Sequence, residues 1–128
     1  MPELTGSWSR DPWILHRVDG PRELYLLVNE SASRTHIALS GEELERLAGF
    51  LERIVEEVND MQEQQVVDDV DRGGRPPFLV ARSYNEPGWR IEFYAEPDYE
   101  DENAVPFRTL NLSNVKIRDW ADSGFLRR

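Results

Sequence analysis

Ser40 opens the feature that most constrains this chain. Its hydroxyl precedes Gly41, Glu42 and Glu43, where it can accept from the first free amides of a helix, while Glu43, three residues on, reaches back to the Ser40 amide. Acids in that first turn also suit the positive end of the helix dipole. Apolar residues then fall at Leu44, Leu47, Leu51, Ile54, Val58 and Met61 in alternating steps of three and four, with Ala48 and Val55 widening the stripe. The spacing predicts an amphipathic helix over residues 41–65, roughly 36 Å long at 1.5 Å per residue. A sheet of four or five strands is only about 20 Å wide. The far end of such a helix therefore crosses the sheet diagonally, overhangs it, or meets a second copy of the chain.

Alternating segments on either side supply that sheet. WILHRV (13–18), ELYLLVN (23–29) and RTHIALS (34–40) precede the helix, separated by turn residues such as Asp19, Gly20 and Pro21. After it, residues 68–77 read as a flexible connection. PFLVARSY and WRIEFYAE form a hairpin about Asn85–Gly88, and RTLNLSNVKI (108–117) is a last strand. DWADSGFL closes the chain as a turn or short helix. The expected architecture is α+β, one domain in the order β-β-β-α-β-β-β, with an antiparallel sheet of five or six strands, one long helix and no internal repeat.

Charge is distributed unevenly over this frame. The chain of 128 residues has a net charge of −10, and residues 40–72 hold eleven acids against three bases. A second excess lies in EPDYEDEN, where residues 96–102 contain five carboxylates and no base. A field of that sign repels phosphate, so a basic protein surface is the easier partner. Four Trp, four Tyr and five Phe provide core, and no segment is apolar enough to span a bilayer. No signal sequence is evident at the amino terminus, so the expected location is cytoplasmic.

Most catalytic chemistries find no residues here. Without cysteine there are no disulfides, thiolate metal sites or cysteine nucleophiles. A calcium loop starting at Asp98 needs glycine at its sixth position and glutamate at its twelfth, and these are Asn103 and Thr109. Pro97 and Asp98 open a nuclease-like PD pattern, but Asn114 stands where an acid should precede the only lysine, Lys116. His16 and His36 alternate with apolar residues in strands and lie in no zinc-binding pattern. No phosphate-binding glycine motif is present. The expectation is a non-enzymatic protein with no metal and no cofactor.

Two binding roles remain. Carboxylates on successive helical turns, such as Glu52 and Glu56, lie about 6 Å apart along the axis and resemble a row of phosphates. Glu45, Glu52, Glu56, Glu63, Asp98, Glu100, Asp101 and Glu102 are therefore the candidate partner-binding residues, steering a basic partner onto neighbouring Trp or Tyr anchors. This is how nucleic-acid-mimic inhibitors of the phage anti-defence and immunity-protein kind behave. The alternative comes from THIALSGEELERLAGFLERI, residues 35–54, in which a strand runs into a capped helix. The stretch resembles the PC4-type single-stranded-DNA-binding domain, where a β-sheet leads into a dimerising helix. That resemblance implies a homodimer through the 41–65 helix and either single-stranded nucleic-acid binding or a structural assembly role. Direct stacking on nucleic acid would use Trp8, Trp13, Tyr25, Tyr84, Trp89, Phe93, Tyr94 and Tyr99 as base platforms beside Arg82 and Arg90.

Overall fold

The computed structural model describes residues 3–31, 36–57, 66–69, 75–83 and 88–127. Among these residues it is α+β, with two antiparallel four-stranded sheets and two helices instead of one sheet and one helix. Strands β1 (Glu3–Arg10), β2 (Trp13–Asp19), β3 (Leu24–Asn29) and β4 (His36–Ser40) form the first sheet in sequential order, and α1 (Gly41–Glu57) follows directly. Strands β5 (Val66–Asp68), β6 (Phe78–Ser83), β7 (Gly88–Tyr94) and β8 (Arg108–Ser113) form the second, followed directly by α2 (Asn114–Ser123).

The expected order fails at both ends of the pattern. Residues 3–10 were not expected to be a strand, since Gly6, Ser7 and Ser9 give it little apolar alternation, yet they pair with β2 from Glu3 opposite Asp19 to Arg10 opposite Trp13. The predicted strand 108–117 ends at Ser113, because the Lys116 amide donates to Ser113 Oγ at 3.2 Å and turns Asn114–Ile117 into the first turn of α2. Asp68, expected in a flexible connection, pairs with Val80 as the end of β5. Asp69 is held as well: its amide donates to the Leu79 carbonyl at 3.0 Å, and its Oδ1 accepts from the Leu79 amide at 2.6 Å.

The element order overturns the expectation of no internal repeat. Four strands and a helix occur twice, and the strand-to-helix junctions align. Leu39-Ser40 corresponds to Leu112-Ser113, Leu44 to Ile117, Leu47 to Trp120 and Ala48 to Ala121. The first junction has the complete reciprocal cap, with the Glu43 amide donating to Ser40 Oγ and the Ser40 amide to Glu43 Oε1, each at 3.1 Å. Downstream of both junctions stands the tripeptide Gly-Phe-Leu, at 49–51 and at 124–126.

The chain divides into two compact units, Met1–Ala48 with Gly124–Arg128, and Gly49–Ser123. Both boundaries fall immediately before a Gly-Phe-Leu. In the first unit Trp13, Leu15, Tyr25, Leu27, Ile37 and Leu39 alternate onto one sheet face, and Leu44, Leu47 and Ala48 of α1 are buried. Ser7, Ser9, Ile14, His16, Leu26, Val28, His36 and Ala38 occupy the other face, with no charged side chain among these eight. In the second unit Leu79, Ala81, Trp89, Ile91, Phe93, Leu110 and Leu112 form the buried face, together with Phe50, Leu51 and Ile54 of α1 and Ile117 and Trp120 of α2. The expected stripe of α1 is buried at every described position except Val55, which is half-buried. Val58, Met61 and the rest of the predicted helix to residue 65 lie outside the described residues.

Candidate protein-docking surface

The second sheet turns an unusual mixture toward its other face. Strand alternation places Asp68, Val80 and Glu92 in one row across β5, β6 and β7, with Arg82 and Arg90 in the next and Phe78 opposite Tyr94 beyond. Phe78, Val80 and Tyr94 form an apolar cluster, and Tyr99 and Ala104 from the loop after β7 pack against it. The acidic stretch is therefore anchored to the sheet by its one aromatic residue.

Tyr99 is the hinge of this arrangement. Its hydroxyl donates to Asp68 Oδ2 at 2.8 Å, its ring lies 6.3 Å from that of Tyr94, and the Arg82 guanidinium sits 5.6 Å over its centroid. Burial, reinforced by the Asp68 carboxylate accepting its proton, pushes the phenol up to about 12. Beside it Arg82 Nε donates to Glu92 Oε1 at 2.6 Å, which raises the guanidinium pKa above its usual value. The Tyr94 hydroxyl donates to the same oxygen at 3.1 Å, and burial raises its pKa too. Glu92 is only 6% exposed, so these two donors satisfy a carboxylate that water barely reaches.

Short turns shape the rest of the loop. The Asp101 amide donates to the Asp98 carbonyl, the Ala104 amide to the Asp101 carbonyl and the Asn103 amide to Asp101 Oδ1, at 3.1, 2.9 and 2.9 Å. Glu96, Asp98, Glu100, Asp101 and Glu102 are all exposed. The loop returns through Val105 and Phe107, 79% and 53% exposed, before the Phe107 amide donates to the Phe93 carbonyl at 2.9 Å. Arg108 stacks over both Phe93 and Phe107, 5.4 and 5.5 Å from their centroids.

The predicted docking residues are distributed as follows. Asp98, Glu100, Asp101 and Glu102 share this loop. Glu52 and Glu56 stand on the part of α1 that belongs to the same unit, Glu52 half-buried and Glu56 exposed. Between them Arg53 pairs through Nε with Glu57 Oε1 at 2.8 Å, and its Nη1 donates to the backbone carbonyl of Asp68. Asp68 thus receives the helix on its main chain and the loop on its side chain, and it joins the two acidic segments. Glu45 is exposed in the other unit, and Glu63 lies outside the described residues.

Sequence reasoning named Tyr99 only as a base platform and did not foresee its bond to Asp68, the reach of Arg53 to the Asp68 carbonyl or the pairing of Arg82 with Glu92. Only Tyr99 carried a signal, as a lone aromatic residue within five acids. The structure places the aromatic platform candidates as follows. Trp13, Tyr25, Trp89, Phe93 and Tyr94 are buried in the two units, Trp8 and Tyr99 are half-buried, and Tyr84 lies outside the described residues. The apolar side chains open to a partner beside the acids are Val105 and Phe107.

Two other chemistries can be weighed on the same geometry. Ser7 Oγ and His16 Nδ1 share a 2.8 Å hydrogen bond across β1 and β2. Leu26 and Ala38 continue that row and Ile14, Val28, Val18 and Leu24 flank it, so among these described neighbours no carboxylate orients the imidazole, and the pair is a cross-strand contact. Among the described residues no group of three His, Asp or Glu side chains is arranged to hold a metal ion, and no helix is long and apolar enough to cross a membrane. No protein-family model and no curated protein matches the chain.

Proposed function

We propose that the chain is a non-enzymatic acidic module that docks on a basic protein surface. The observation that carries this reading is the junction at Asp68, where Arg53 of the acidic helix and Tyr99 of the acidic loop meet on one residue. A loop so tethered presents its carboxylates with less motion to lose on binding, which favours affinity. The acids steer the encounter, and Val105 and Phe107 supply the desolvated contact that holds it. A partner whose own function is to grip nucleic acid meets this requirement, so the finer form of the proposal is inhibition by mimicry of a phosphate backbone.

Capture from lysate of the native organism tests the proposal when done in parallel with the wild-type chain and with D98K/E100K/D101K/E102K. The expected result is a protein retained by the first and released with rising salt, and absent from the second. Identical retention by both sinks the proposal.

A second reading is favoured by the repeat. Four strands followed by a capped helix, twice over, repeat the strand-into-capped-helix junction on which the resemblance of residues 35–54 to the PC4-type domain rests. On that reading the chain binds single-stranded nucleic acid or serves as an assembly component. The burial of five of its eight aromatic candidates weighs against stacked bases. A gel shift with labelled single strands at low salt separates the two, since the first reading expects none.

A further inference from the structure

Among the described residues, the outer face of the first sheet holds no carboxylate, guanidinium or ammonium group at its strand positions. Ser7, Ser9, His36 and Ala38 are exposed there, Ile14, His16 and Leu26 are half-buried, and Leu24 is 39% exposed. Strand pairing sets Ile14 beside Val28 and His16 beside Leu26, with the serines of β1 on one flank and β4 on the other. Charged residues make up 31% of the sequence, so their absence from a whole face needs a cause.

The repeat shows that the fold itself is not that cause. With Leu39-Ser40 aligned on Leu112-Ser113, the strand pairings carry the correspondence across both sheets. Ala38 answers to Asn111, Leu26 to Arg90, Val28 to Glu92, His16 to Arg82 and Ile14 to Val80. The second sheet therefore keeps three charged side chains at places where the first has none. It also receives cover from its own chain, since Tyr99 and Ala104 pack against Phe78, Val80 and Tyr94.

A second copy of the chain is the occupant that fits the first sheet. In a two-fold pair one patch meets its own image, so a patch with net charge repels its partner and an uncharged patch does not. The net charge of −10 holds copies apart everywhere else. A basic partner gains nothing from a face without carboxylates. Four strands and five residues per strand span roughly 19 by 16 Å, about 300 Å² in projection. Side-chain relief adds to this, and the pair falls in the class of weak, reversible interfaces below about 1,200 Å² in total.

We infer that the uncharged face of β1–β4 is a self-association surface, on which two copies pack sheet against sheet as a weak dimer. Sedimentation of the full chain at concentrations up to about 1 mM should show a monomer and dimer in exchange. The dimer should tighten about threefold or more from low to high salt, because screening relieves the repulsion between copies. Docking of the acidic loop on a basic partner responds to salt in the opposite sense, so the two readings fail separately. A38R and S9R, at exposed positions on opposite edges of the sheet, should each weaken the dimer at least about tenfold while their urea midpoints stay near that of the wild type. Each lowers the net negative charge, so general repulsion cannot explain the loss. N111R, at the counterpart of Ala38 on the second sheet, should leave the dimer unchanged. A monomer at every concentration and salt overturns the proposal, as does a dimer that keeps its strength in A38R and S9R or loses it equally in N111R.

Discussion

The hydroxyl of Tyr99 carries the tether between acidic loop and sheet, and its worth can be worked from the structure. Tyr99→Phe removes the 2.8 Å bond to Asp68 and leaves the ring against Tyr94 and Arg82. A hydrogen bond to a carboxylate contributes about 1.5–3 kcal/mol when shielded, and half-exposure of both partners reduces this to about 1–2 kcal/mol. Asp68→Ala removes the same bond from the other side and leaves the Asp68 main chain available to Arg53. The two substitutions should therefore be redundant, so that the double variant is less destabilised than the sum by about 1 kcal/mol. Urea unfolding followed by tryptophan fluorescence reads this directly, each single variant lowering the midpoint by roughly 0.5–1 M at an unchanged slope. A coupling below about 0.3 kcal/mol refutes the reasoning, because it means that water replaces either partner without loss.

Further outcomes follow from the same geometry. Because the folded phenol of Tyr99 is raised to about 12, its contribution is fully present below the unfolded value near 10 and is lost as pH rises from there through 12. The loss is about 1 kcal/mol after solvent screening, and urea midpoints across that window should fall less steeply for Tyr99→Phe than for the wild type. Arg82→Met leaves the Glu92 carboxylate without its 2.6 Å partner and should cost about 2–3 kcal/mol, with part recovered by adding Glu92→Gln. Ser40→Ala and Ser113→Ala each remove a helix cap and should each cost about 1 kcal/mol in chemical denaturation; a neutral result at either position means that water replaces that cap.

How much of this was legible before the structure depends on which force set each element. The capped start of α1 and its stripe were readable, because Ser40, Glu43 and the three-four spacing are local and redundant. β1 was not, since a strand with two serines and a glycine is held by its pairing to β2 and not by its own alternation. The end of β8 was misread for a related reason. Val115 and Ile117 keep a two-residue spacing but fall out of phase with Leu110 and Leu112, and that step of three, together with the Ser113 cap, marks the change of period. The repeat was hidden because Leu47 and Trp120, or Leu44 and Ile117, share a place in the core without sharing a letter. At the candidate surface the exposure of the loop carboxylates was foreseeable from their density. Its anchoring was not, because Tyr99 reaches Asp68 across 31 positions of sequence and no spacing rule joins them.

The central claim is that concentrated negative charge steers this chain onto a basic partner, and association kinetics test it most directly. With the captured partner immobilised, the on-rate of the wild-type chain should fall by about tenfold or more from low to high salt. The on-rate of D98K/E100K/D101K/E102K should be slow throughout and nearly flat. Equal on-rates for the two chains at low salt contradict the account.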